Sequence, residues 1–261
     1  MENMAQQTTI VLWGGLDPGG EAGLAADLQV AHALEATPRI VVTALTAQTS
    51  SFWLAGWPVP NDYRDNVVRQ FDLPPLGVAI KAGMLSTKSH AEALVRFRQE
   101  HPNAPLVVDP LEKSSSGGLM WQAEDMVELP AWLQTHVLPH TTVVTPNWPE
   151  LQWLTGLPLD TRAQAEAALR ALPCPAVLKG GHAPAQWRGV DLLWDGSTLS
   201  ELQPLEIWSK SPRGTGCRFA TALAIELARG KTLLESAIAA KTLTARLAQR
   251  PSESPPRPQG V

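Results

Sequence analysis

Short apolar runs rich in β-branched residues recur along this chain, with helical patterns between them. "TTIVLWGG" (8–15), "RIVVTALTA" (39–47), "GVAIKAG" (77–83), "PLVVDP" (105–110), "TTVVTPN" (141–147) and "PAVLKGG" (175–181) read as strands. Most are apolar at consecutive positions, so both faces of the sheet they form must be covered. The intervening segments 23–36, 62–71, 87–100, 123–137 and 161–171 read as helices. Strand, helix and strand in repetition demand right-handed crossovers and a mostly parallel sheet.

One stretch departs from that rhythm. "VDLLWDGSTLSELQPLEIW" (190–208) alternates and turns at Asp195-Gly196, which predicts an antiparallel hairpin at the sheet's edge. Two helices, 215–229 and 232–248, follow. In the first, Phe219, Leu223 and Leu227 share a face, and Gly230 suits its C-terminal end. No internal linker interrupts the pattern, so residues 1–249 read as a single domain. The Pro-rich polar tail, 250–261, reads as disordered.

Composition narrows the function. With 44% apolar residues the chain can bury a sizeable core. The net charge of −4, without a basic run, argues against nucleic acid as a partner. No stretch has the length and apolarity of a membrane span, and the first residues lack the pattern of a secretory signal. Two cysteines, Cys174 and Cys217, form no disulfide framework. A cytoplasmic protein is the expectation. The ten tryptophans show no period, which excludes a solenoid or propeller.

In an open parallel sheet, ligands bind beyond the carboxyl ends of the strands, and the chemically interesting residues fall there. The first strand runs into the glycine-rich "GGLDPGGEAGLAADL", which matches neither the P-loop nor the Rossmann fingerprint. It reads as a turn or as a close approach to a ligand. After the second strand, the amide of Gln48 can donate and accept at once, which suits the edge of a heteroaromatic ring. After the third, Met84 is either a soft wall against such a ring or core. Asp109 ends the fourth, and "TPNWPE" brings Asn147 and Glu150 after the fifth. Together they make a hard oxygen environment suited to Mg²⁺, although Glu150 also fits an ordinary first helical turn. Lys179 ends the sixth strand beside two glycines, where it can reach a phosphate.

"SPRGTGCRFATALAIELARG" (211–230) is a loop running into a helix. Gly214-Thr215-Gly216-Cys217 would present backbone N–H groups at a helix start, where the dipole favours negative charge. Cys217 there is expected to have a lowered pKa.

These pieces together resemble the hydroxymethylpyrimidine (phosphate) kinases, members of the ribokinase-like superfamily. "DPGGEAGLAADL", "VTALTAQTS", "IKAGML", "VVDP", "TPNWPE", "LKGGH" and "GTGC" keep the family order over roughly residues 10–248. The resemblance implies a three-layer α/β fold: a mostly parallel central sheet, helices on both faces and an antiparallel edge hairpin. It implies ATP- and Mg²⁺-dependent phosphorylation of 4-amino-5-hydroxymethyl-2-methylpyrimidine, and of its monophosphate, for thiamine biosynthesis. By matching position, Gln48 is expected to bond the aminopyrimidine, and Gly15, Asp17, Met84 and the backbone near Leu111 to shape its pocket. Asp109 and Glu150 are expected to support Mg²⁺. Lys179, with Asn147 and Thr215, is expected to meet the nucleotide. The N–H groups of Gly214, Gly216 and Cys217 form the expected anion hole, and Cys217 acts near the accepting hydroxyl. Relatives often form dimers, so a homodimer is expected.

The sequence departs from the family at three places. Arg213 and Arg218 flank "GTGC" where the family more often has a histidine-like and a small hydroxyl residue. Glu112 and Lys113 stand where it more often has apolar residues, and "SFWLAGWPVP" (51–60) reads as a flap or a dimer contact. Two alternatives stay open: a pyridoxal kinase, and a pyrimidine-binding regulator without turnover.

Overall fold

The structure, a computed structural model, describes residues 7–49, 52–114, 117–122, 126–205 and 212–248. The expected tail lies outside these residues, as do the end of the 190–208 segment and the first three residues of the 123–137 helix.

The described strands form one sheet in the order β3-β2-β1-β4-β5-β6-β7-β8-β9. β1 (Thr9–Leu16), β2 (Thr37–Gln48), β4 (Val78–Ala82), β5 (Leu106–Val108), β6 (Val143–Val144) and β7 (Ala176–Leu178) run parallel. These are the six runs expected from sequence. The last three are shorter than their apolar runs; Pro110 and Pro146, lacking an N–H, follow soon after β5 and β6. β8 (Asp191–Trp194) and β9 (Leu199–Leu202) make the expected antiparallel edge hairpin. β3 (Trp53–Pro58) pairs antiparallel with β2 and forms the opposite edge. The 51–60 segment is therefore an edge strand over most of its length.

Alternation along the strands sends side chains to two cores. Val11, Trp13, Ile80, Val108 and Leu178 pack on one face with α3 (Lys88–Glu100), α4 (Leu129–His136), α5 (Trp148–Thr155) and α6 (Arg162–Ala171). Ile10, Leu12, Ala79, Val107 and Val177 pack on the other with α1 (Gly23–Ala33), α7 (Thr215–Ala228) and α8 (Leu233–Ala248). A further helix, α2 (Asn61–Arg69), crosses from β3 toward β4. Among the described residues α4 starts at Leu129, after a turn at 126–128, with Pro130 at its beginning. α7 buries every residue from Cys217 to Glu226 rather than the one expected stripe. Among the described residues no helix is long and apolar enough to cross a membrane.

Candidate active site

The carboxyl ends of the parallel strands and the start of α7 enclose a cavity of about 640 Å³. Every site residue expected from the sequence borders it: Gly15 and Asp17 after β1, Gln48 at the end of β2, Met84 after β4, Asp109 and Leu111 after β5, Asn147 and Glu150 after β6, Lys179 after β7, and the 214–217 segment.

One end of the cavity is built for an anion. Gly214 caps α7 in the left-handed region, with φ 72°, and a Cβ there would stand 2.2 Å from the Glu21 carbonyl oxygen. Only glycine fits that turn. The first helical bond runs from the Arg218 N–H to the Gly214 carbonyl, at 2.9 Å. The four N–H groups before it, Gly214 to Cys217, are left without helical partners at the positive end of the dipole. Lys179 faces them. Its Nζ is 2.6 Å from Asp109 Oδ1 and 3.7 Å from Glu150 Oε2. A Cβ on Gly216 would sit 3.1 Å from that Nζ, so the bare backbone lets the ammonium approach.

Charge is concentrated here. Burial opposes the Lys179 ammonium, but Asp109 and Glu150 hold its pKa up at about 12. Burial pushes the Glu150 carboxyl up to about 7 against the opposing pull of Lys179. Asn147 and Glu150 also cap α5. The Asn147 side chain accepts from the Glu150 N–H at 2.9 Å, and Glu150 Oε2 accepts from the Asn147 N–H at 2.7 Å. Asp109 Oδ2 is buried with no hydrogen-bond partner among the described residues. No group of three or more His, Cys, Asp or Glu gathers among those residues to form a metal cage. Two carboxylates, one with an open oxygen, suit Mg²⁺, which binds through one or two carboxylates, waters and phosphates.

The other end suits a flat polar ring. Gln48 Nε2 donates to Thr46 Oγ1 at 3.1 Å, and Thr46 donates in turn to the Leu16 carbonyl at 2.9 Å. Met84 lies against Gly15, where a Cβ would meet its sulfur at 2.7 Å. Asp17 braces its own loop, accepting from the N–H groups of Gly19 and Ala22, both at 3.0 Å. The indole of Trp121 donates to the Leu111 carbonyl at 3.0 Å and fixes the wall of the cavity.

Cys217 corrects an expectation. Its thiol pKa is not lowered but pushed up to about 11. Burial is the main cause; nearby Lys81 pulls down, while Asp27 and Asp109 push up. A helix start and a nearby lysine both favour a thiolate, but desolvation outweighs the two together here.

Three features had escaped the sequence reading. Lys81, inside the apolar run of β4, forms a buried ion pair with Asp27 of α1. Arg213, a departure whose role the sequence leaves open, contacts Gln48. Lys241 of α8 binds Asp191 Oδ2 at 2.8 Å and the carbonyls of Gly189 and Leu202, lashing the edge hairpin to the cavity's rim. The Asp27 signal was present as a carboxylate on the apolar face of a helix, but its partner is 54 residues away.

A doubly covered parallel sheet whose carboxyl edge sets an anion-receptive helix start against a lysine and two carboxylates defines a small-molecule phosphotransferase of ribokinase-like architecture. The phosphomethylpyrimidine kinase family model matches residues 17–254. The chain is 35% identical over 232 residues to the hydroxymethylpyrimidine/phosphomethylpyrimidine kinase of Streptomyces coelicolor, a match covering 87% of this chain and 83% of that one. It is 34% identical over 240 residues to the Rhizobium meliloti enzyme of the same name, covering 87% and 85%. The pyridoxal kinase of Staphylococcus aureus in complex with AMP-PCP and pyridoxal superposes with a TM-score of 0.81 at 26% identity, covering 93% of this chain and 88% of that one. The phosphomethylpyrimidine kinase of Clostridium difficile superposes with a TM-score of 0.75 at 25% identity, covering 93% and 99%. The chain belongs to the phosphomethylpyrimidine kinase family.

Proposed function

We propose that this chain transfers the γ-phosphoryl group of ATP to the hydroxymethyl group of 4-amino-5-hydroxymethyl-2-methylpyrimidine, and then phosphorylates the monophosphate, in thiamine biosynthesis. One observation carries the reading: Gln48 and the Gly214–Cys217 segment open onto the same cavity. A ring held at the first end places its alcohol toward the second.

Phosphoryl transfer asks chiefly for positioning and neutralisation of charge. The hydroxymethyl oxygen bonds to the γ-phosphorus, the bond from that phosphorus to the bridging oxygen breaks, and ADP leaves while the hydroxyl proton passes to water. The N–H groups of Gly214, Gly216 and Cys217 and the Lys179 ammonium hold the transferring phosphoryl group, and Thr215 and Asn147 border the nucleotide. Bound by Asp109 and Glu150, Mg²⁺ supplies further neutralisation of phosphate charge. Cys217 is a neutral thiol at pH 7 on its raised pKa; in this reading it orients the accepting hydroxyl rather than taking its proton.

A cytosolic homodimer completes the proposal. The free, buried state of both cysteines supports a reducing compartment, and light scattering tests the dimer. The likeness to a pyridoxal kinase solved with pyridoxal gives the second reading a specific footing. Coupled ADP release with each alcohol decides between them. We expect kcat/KM for the aminopyrimidine to exceed that for pyridoxal. A tenfold preference for pyridoxal would reverse the assignment, and no ADP above background with either, despite pyrimidine binding, would make the chain a non-catalytic binder.

A further inference from the structure

Arg213 stands directly before the Gly214 cap, yet its guanidinium turns away from the anion end. Nη2 donates to Gln48 Oε1 at 3.0 Å, and Nη1 donates to the Thr49 carbonyl at 3.0 Å. Nε lies 3.3 Å from Glu21 Oε2, and Nη2 lies 3.9 Å from Asp17 Oδ2. The side chain is only 12% exposed. One planar fork thus joins the end of β2, the loop after β1 and the entry to α7. Asp17, which borders the ring end of the cavity, and Glu21 beside it oppose that charge.

The consequence falls on Gln48. A carboxamide has two ends of opposite character, and a ring edge can tell them apart. Thr46 gives its hydroxyl proton to the Leu16 carbonyl, so toward Gln48 it can only accept, and the Gln48 NH₂ must face it. Arg213 can only donate, so the Gln48 carbonyl oxygen must face Arg213. A flipped amide would lose both bonds and set like against like. Bonding to a cation also polarises the amide, which makes its N–H a stronger donor toward a ring nitrogen.

We propose that Arg213 is a positioning residue for substrate specificity: it locks and polarises the Gln48 amide so that Gln48 presents a fixed donor–acceptor edge to a nitrogen heterocycle. The inference rests on the reading of Gln48 as the ring's partner. It assigns Arg213 to the alcohol substrate rather than to ATP.

The test is a double-mutant cycle on purified full-length enzyme, with KM measured separately for the aminopyrimidine and for ATP. Arg213→Met should raise the pyrimidine KM about tenfold, the size of one lost hydrogen bond to a charged group. The ATP KM should change less than twofold, which also shows that the variant is folded. Arg213→Lys, which keeps the charge and a single donor, should recover part of the loss. On a Gln48→Ala background, Arg213→Met should add nothing. An ATP KM that rises as much as the pyrimidine KM would overturn the proposal and make Arg213 a phosphate ligand. Fully additive effects would overturn it while leaving Gln48 as the ring's partner. A Gln48→Ala variant with an unchanged pyrimidine KM would overturn both readings at once.

Discussion

The ammonium of Lys81 is held 2.8 Å from Asp27 Oδ2 and 3.0 Å from Asp27 Oδ1, and both side chains are sealed from solvent. The Thr221 hydroxyl donates to the same carboxylate at 2.8 Å, so the pair joins β4, α1 and α7 beneath the start of α7. Burial works against the lysine's charge, but Asp27, aided by the Asp109 carboxylate, holds its pKa above the ordinary value. Burial raises the Asp27 carboxyl above its ordinary value against the opposing pull of Lys81 and Thr221, and the short contact between the two groups is what favours keeping both charges in the folded protein. Removing one partner leaves a buried charge uncompensated. Lys81→Met should cost about 3–5 kcal/mol of stability in urea unfolding, the range for broken buried pairs. Lys81→Met with Asp27→Leu should recover much of that loss; a double variant as unstable as the sum of the single ones would contradict this.

Cys217 should behave as a neutral, sheltered thiol. Its folded pKa, about 11, lies above the ordinary value of 9.0. For an acid shifted upward, the folded state favours the protonated form. The stability it contributes is complete below pH 9 and is lost as pH climbs through 11. Cys217→Ala should flatten the alkaline fall in melting temperature over that interval, fold normally at pH 7 and lower kcat strongly. Full activity in the alanine variant would exclude any chemical role for the thiol.

Gly214 is the backbone position on which the anion end depends. A Cβ there meets the Glu21 carbonyl oxygen at 2.2 Å, and the φ of 72° disfavours any other residue. Gly214→Ala must move the start of α7 and with it the N–H groups that face Lys179. A 1 Å misplacement of a phosphate-holding group costs on the order of 10²-fold in rate. We expect kcat to drop by about that factor, with the melting temperature falling by only a few degrees. Steady-state turnover beside a thermal melt checks both numbers, and unchanged turnover would show that the N–H cradle is not used.

The parallel sheet was legible because its strands are apolar on consecutive positions, which only a doubly covered sheet tolerates. β3 was not: Trp53–Pro58 holds a glycine and a proline, and alternates only weakly between half-buried and exposed. α5 was missed as an element because eight residues with Pro149 give little periodicity, although its Asn147…Glu150 capping box was readable. The site residues could be gathered at one edge because they follow strand ends, which topology alone places together. Electrostatics was less accessible. The raised pKa of Cys217 depends on burial by elements far away in sequence, and a motif at a helix start carries no information about that burial. The same holds for Lys81, whose partner is set by α1 packing on β4, and for Arg213, whose hold on Gln48 spans 165 residues.

The central claim is that one cavity seats the ring at Gln48 and the transferring phosphate at the start of α7. A crystal structure with the aminopyrimidine and a non-hydrolysable ATP analogue measures this directly. The account predicts the ring's edge within hydrogen-bonding distance of the Gln48 amide, its hydroxymethyl oxygen beside Cys217, and the γ-phosphate on the N–H groups of Gly214–Cys217. A ring bound away from Gln48, or a triphosphate that avoids the start of α7, would contradict it.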